Sequence, residues 1–119
     1  MEGDVIAKNY DMELFGDAND MAEYYWAVQI EADPNVHLSL QQDDKKLNAT
    51  LFKWTKEFYK LIEKSNPHYS EVERVIRFVY STKYYPKARY SAGYFCSKYV
   101  AIRGLMERIE AQPFAPEFE

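Results

Sequence analysis

Leu47, Leu51, Trp54, Phe58, Leu61 and Ile62 recur at steps of three and four residues along one stretch of the chain. That spacing puts all six on one side of a helix, and no strand-like alternation of apolar and polar residues competes with it. The same period returns in Val72, Val75, Ile76 and Val79, and again in Phe95, Tyr99, Ile102, Leu105, Met106 and Ile109. A shorter stripe of Met21, Tyr24 or Tyr25, and Val28 lies nearer the start. Helices that each bury one stripe must bury it against one another, so the expected fold is all-α, a small bundle of about four helices. With 119 residues, 47% of them hydrophobic, the chain is long enough to close one core without disulfides or metals.

Stop and start signals set the expected boundaries. The first helix is expected from about Asp20 to Ala32, capped by Asn19 or Asp20 and stopped by Asp33-Pro34. Residues 33–46 read as a polar connection, followed by a helix from Leu47 to Lys64 that Asn66-Pro67 ends. Ser70 and Glu73 have the spacing of a capping box at the head of the third helix. Ser81 to Arg89 reads as a loop around Pro86, and a single final helix as running from Ser91 to Ala111. Residues 1–18 have no clear period and are expected to form an irregular N-terminal arm broken at Gly16. That leaves residues 19–112 as the helical domain and residues 113–119 as a flexible tail.

Much chemistry finds no support. No run of about 18 apolar residues exists to cross a membrane. Met-Glu-Gly-Asp is not the opening of a signal peptide, and one cysteine, Cys96, forms no internal disulfide. A cytoplasmic protein is the expectation. His37 and His68 read as exposed loop residues and Cys96 as a half-buried structural thiol, so no metal site is expected. None of the four glycines belongs to a phosphate-binding fingerprint, and no carboxylate pair has a catalytic look. The expectation is a non-enzymatic binding module without a cofactor.

Charge distribution narrows what such a module can bind. The net charge of −4 hides a division: residues 1–50 carry 3 basic and 11 acidic side chains, residues 51–119 carry 12 basic and 8 acidic. No acidic residue occurs between Glu73 and Glu107. Within that stretch Lys83, Tyr84, Tyr85, Lys87, Arg89, Tyr90, Lys98 and Arg103 are the candidate binding residues. Cations meet phosphates or acidic side chains, and flat rings stack on bases or fill a partner's pocket. Glu13, Asp17, Asp20 and Glu23 form an alternative, acidic partner face. On composition alone nucleic acid, a protein partner and an ordinary solvated surface all stay open.

The order of motifs resembles the carboxy-terminal region of phage and prophage replisome organisers, the replication-initiation proteins. The likeness rests on Ala22, Pro34-Asn35, Trp54 with Leu61-Ile62, and Glu73 with Val75-Ile76-Arg77-Phe78. It continues through Tyr84-Tyr85, Ser91, Phe95, Lys98 and Tyr99, and covers roughly residues 19–112. Ala92 stands where that family has a proline, and Cys96 where it usually has an arginine. The resemblance implies an accessory role in DNA replication. The implied partners are single-stranded or duplex DNA, or a helicase, loader or initiator protein, in a bacterial host cell. A rival expectation is a small phage- or mobile-element-encoded inhibitor that holds a host or competitor protein through its acidic half. A self-associating structural subunit is a third.

Overall fold

A computed structural model describes residues 10–112. Among them the secondary structure is helical, with no strand, in the expected all-α bundle. Helix α1 spans Met12–Ala32, α2 Leu38–Gln41, α3 Asp44–Ser65, α4 Tyr69–Ser81, α5 Ala92–Ser97 and α6 Tyr99–Glu110, with a 3-10 turn at Pro86–Arg89.

Helix α1 begins eight residues before the expected Asp20. Asp11, in extended conformation, accepts from the backbone N–H groups of Glu13 and Leu14, which satisfies two of the first turn's free donors. Its own N–H donates to the Tyr59 hydroxyl at 2.8 Å, so the cap is tied to α3. Tyr10, Phe15 and Tyr59 pack their rings together there, with centroids 4.8–5.9 Å apart. Gly16 therefore lies inside the helix rather than breaking it. The packing of Leu14, Phe15 and Ala18 outweighs the cost of about 1 kcal/mol that an interior glycine carries. Residues 10–18 thus belong to the domain; the rest of the expected arm and the expected tail lie outside the described residues.

Three further boundaries differ from expectation. Asp43 caps α3 by accepting from Lys45 and Lys46, so that helix starts at Asp44, and the preceding connection contains the single turn α2. The Ser70–Glu73 capping box does not form. Helix α4 already begins at Tyr69, with His68 as a cap that offers no side-chain hydrogen bond, so Ser70 sits within the first turn. The final helix is two helices. Lys98 (φ −105°, ψ 9°) breaks it between Ser97 and Tyr99. The break has a packing reason: α5 lies against α3, whereas α6 lies against α4, and one straight helix would not serve both.

Helix α1 is packed chiefly on α3 and also on α4. Tyr25 stands at the centre, with no exposed surface, and meets Trp54, Phe58 and Phe95 at ring-centroid distances of 5.3, 5.9 and 5.6 Å. Val72, Val75, Ile76 and Val79 of α4 close the core from one side, and Tyr99, Ile102 and Met106 of α6 add to it. His37 is not the exposed loop residue expected. Its ring lies against Trp26 (centroids 6.0 Å apart) and near Trp54. His68 is exposed. Cys96 is half-buried, as expected.

Burial keeps three tyrosine hydroxyls protonated far above the usual tyrosine range. Tyr25 is raised chiefly by burial, Tyr80 by burial and then by Tyr90, and Tyr99 by burial and then by its hydrogen bond to Glu71. A raised folded-state pKa favours the neutral form in the fold. Its contribution is fully present below pH about 10 and is lost as unfolded tyrosines ionise above it. Far-UV circular dichroism and phenolate absorbance, followed together as the pH is raised, should show these three rings ionising with the loss of helix, not before it.

Candidate nucleic-acid interface

Pro86 fixes the backbone at the head of the 3-10 turn, and Tyr85 before it adopts the left-handed region at φ 56°. A non-glycine residue there holds only when its surroundings enforce it. Three side chains do so. The Tyr25 hydroxyl donates to the Ala88 carbonyl at 2.5 Å, and the Tyr80 hydroxyl to the Arg89 carbonyl at 2.5 Å. The Arg89 guanidinium donates to the Val79 carbonyl at 2.8 Å and to the Thr82 carbonyl, and so closes the C-terminal end of α4. The loop is a fixed platform.

That geometry sorts the eight candidates. Lys83, Tyr84, Lys87, Tyr90 and Lys98 are exposed, Tyr84 by 50% and Tyr90 by 48%. Lys83 reaches over the Tyr84 ring at 5.7 Å, and Lys87 over the half-buried Tyr94 ring at 5.9 Å. Tyr85 is half-buried against the core. Arg89 faces inward and is bound to backbone carbonyls, so it is a structural residue and not a ligand contact. Arg103 is likewise taken up within the fold. It lies 3.7 Å from Glu71 and 3.9 Å from Glu107, and the Tyr99 hydroxyl donates to the same Glu71 at 2.6 Å. Arg74 meets Glu110 at 2.7 Å, and Arg77 donates to the Tyr24 hydroxyl at 2.6 Å and meets Glu31 at 3.3 Å. Thus the four arginines of the acid-free stretch serve the fold. Its three lysines, Lys83, Lys87 and Lys98, have no acidic partner among the described residues.

The alternative acidic residues are also together. Glu13, Asp17, Asp20 and Glu23 all lie exposed on α1, and Glu23 accepts from the Asn19 amide at 3.2 Å. Asp17 and Asp20 rim a groove of about 300 Å³ whose apolar walls include Leu14, Met21, Ile62 and Pro67. Burial, then the Glu73 and Asp20 carboxylates, raise the hydroxyl of Tyr69 at its edge.

The Cys96 thiol is pushed well above its ordinary value by burial and then by Glu57, which keeps it in the unreactive neutral form. No group of three metal-ligating side chains comes together among the described residues. Reading the acid-free stretch alone leaves out the lysines of α3, whose signal is a three- and four-residue spacing of their own opposite the apolar stripe. Compared with known proteins, the chain matches no family model, no curated protein and no solved structure.

Arg89 and Lys87 stand two residues apart and should behave oppositely on substitution. Arg89→Ala removes charged hydrogen bonds to two carbonyls and should cost about 2 kcal/mol of stability in urea unfolding. Lys87→Ala touches only surface and should stay within about 0.5 kcal/mol.

Proposed function

We propose that this domain is a non-enzymatic accessory of phage-type DNA replication, acting in the cytoplasm of a bacterial host, and that it holds DNA on the surface formed by residues 83–98. One observation carries the reading. Lys83 and Lys87 stand exposed with Tyr84 and Tyr90 on a loop pinned by Tyr25, Tyr80 and Arg89, and Lys98 stands exposed at the break between α5 and α6. Phosphates bind to cations that are not already neutralised, and a fixed loop spends little ordering entropy on binding them. Tyrosine hydroxyls reach phosphates and their rings accept bases, so Tyr84 and Tyr90 suit the rim of such a surface. The replication context rests on the resemblance of residues 19–112 to replisome organisers. A helicase, loader or initiator protein is the other occupant that the same face would accept.

The acid-rimmed groove favours a second reading. Asp17 and Asp20 stand at the C-terminal end of α3, where Asn66 takes the left-handed conformation and the helix carries its partial negative charge. A lysine or arginine side chain of a host or competitor replication protein has the shape and charge for that groove. On this reading the chain is an inhibitor or regulator.

Fluorescence anisotropy with labelled DNA across a salt series tests the first reading. Three lysine–phosphate contacts on a duplex give a slope of log affinity against log salt of about −2.7. A Lys83→Ala/Lys87→Ala/Lys98→Ala variant should lose that binding. No binding at the lowest salt would sink direct DNA contact and send the search to pull-down of helicase, loader and initiator. For the second reading the probe is a labelled arginine- and lysine-rich peptide. Its binding should vanish in Asp17→Lys/Asp20→Lys and persist in the triple-lysine variant.

A further inference from the structure

Helix α3 has a face that the reading above does not use. Its buried residues are Thr55, Phe58, Tyr59, Leu61 and Ile62. At 100° per residue, Lys45, Lys46, Lys53, Lys56, Lys60 and Lys64 all fall on the opposite side. Five of the six are exposed, and the half-buried Lys56 lies over the Phe52 ring at 4.8 Å. At about 1.5 Å per residue they extend over about 28 Å of helix. The acids of α3 are Asp44 in the first turn, Glu57, which lies 3.8 Å from Lys60, and Glu63. Helix α3 so carries six lysines against three acids, whereas α1 beside it has no lysine or arginine at all.

The lysine face continues into the loop surface. Lys60 and Lys64, together with Glu57, border a groove of about 230 Å³ between α3 and α5, whose other wall includes Gly93, Cys96 and Ser97. Lys98 follows Ser97 directly, and Lys87 rests over Tyr94 of α5. A run of cations, interrupted by Glu57, therefore passes from the N-terminal end of α3 across α5 to the 3-10 turn.

We infer that this run is a docking surface for the phosphate backbone of a double-stranded nucleic acid. The inference rests on the nucleic-acid reading and names its ligand class. Three features choose the occupant. The face is predominantly basic and nearly straight, with Glu57 and Glu63 at its margins, and about 28 Å of duplex presents roughly 16 phosphates. Lysine is depleted at the centres of protein interfaces, which are built on aromatic and arginine anchors, whereas interfaces with DNA are strongly positive. The one large exposed apolar side chain on this helix, Phe52, sits at the edge of the face, so no row of rings is present to stack the bases of a single strand.

The salt series separates this inference from the loop reading. Loop lysines alone give a slope of about −2.7; with Lys53, Lys60 and Lys64 added, the exposed Lys60–Glu57 pair giving way to phosphate, it becomes about −5.4. Affinity for a labelled duplex would then fall on the order of 1,000-fold over a fourfold rise in salt, against about 40-fold for the loop alone. Lys53→Gln/Lys60→Gln/Lys64→Gln, checked for unchanged helix content by circular dichroism, should bring the slope back to about −2.7, and Lys60→Gln alone should reduce it by about 0.9. A wild-type slope near −2.7, left unchanged in the α3 variant, overturns the inference and leaves the loop reading standing. Binding lost in the α3 variant but kept in the loop variant does the reverse. Competition by poly-glutamate as effective as by duplex overturns the assignment to nucleic acid, and no duplex binding at any salt overturns both.

Discussion

The hydroxyl of Tyr25 donates to the carbonyl of Ala88, and this bond connects helix α1 to the loop on which Lys83 and Lys87 stand. The ring makes it possible. Trp54, Phe58 and Phe95 surround Tyr25 on three sides, so the side chain is held where only its oxygen reaches past the core. An unpaired hydroxyl or carbonyl there would be costly, about 1–3 kcal/mol for each buried group left without a partner. The 3-10 turn is therefore part of the core's hydrogen bonding and not an appendage to it. Tyr80 and Arg89 repeat the arrangement from α4. Positions 83, 87 and 90 inherit their rigidity from side chains that are buried, as Tyr25 is, or half-buried, as Tyr80 and Arg89 are.

Arginine and lysine divide the work by their physical character. The guanidinium group is planar, weakly hydrated and rich in donors, so it can bridge elements within a fold. Arg89 does so with two carbonyls, and Arg103 stands between Glu71 and Glu107. Arg74 and Arg77 make the exposed counterparts, which contribute little stability in water but do occupy the charge. A lysine ammonium holds its water more strongly and stays outside. Summing Lys and Arg along a sequence treats the two alike, and this is why the basic stretch looked larger in the sequence than the surface it makes.

The helices themselves were readable because each stripe is long and periodic. Leu61, Ile62, Val75 and Ile102 are buried where their spacing says they should be. What the sequence hid were features that depend on contacts across the fold. Asp11 is an ordinary polar residue until Tyr59 accepts its N–H and fixes it as a cap. Ser70 and Glu73 have the spacing of a capping box, but α4 starts two residues earlier than that box requires, and Glu71 instead becomes the acid that Tyr99 and Arg103 share. Nothing near Lys98 in the chain marks a break, since the break answers to α3 and α4 lying against different halves of the last helical stretch. The candidate site was readable as a segment, and its inward-facing arginines were not. The lysines of α3 were visible as a pattern, yet a pattern opposite an apolar stripe reads as an ordinary solvated face until another element extends it.

The net charge of −4 is no obstacle to binding a polyanion, because charge acts through distance and not through the sum. At physiological ionic strength the Debye length is about 8 Å, less than the 10–12 Å thickness of a helix with its side chains. A duplex lying on α3 therefore meets that helix's six lysines, while the carboxylates of α1 that lie more than a Debye length away, unlike Asp17 and Asp20 beside its C-terminal end, are largely screened. At about 0.01 M salt the Debye length grows to about 30 Å and the whole molecule is felt. The acids of α1 then oppose the approach that the lysines favour, and a log–log plot of affinity against salt bends over at its low end. The same repulsion gives orientation: a polyanion is turned away from α1 and toward α3 before any contact forms. An acidic chain can in this way present one basic face, and its acidity selects which face is used.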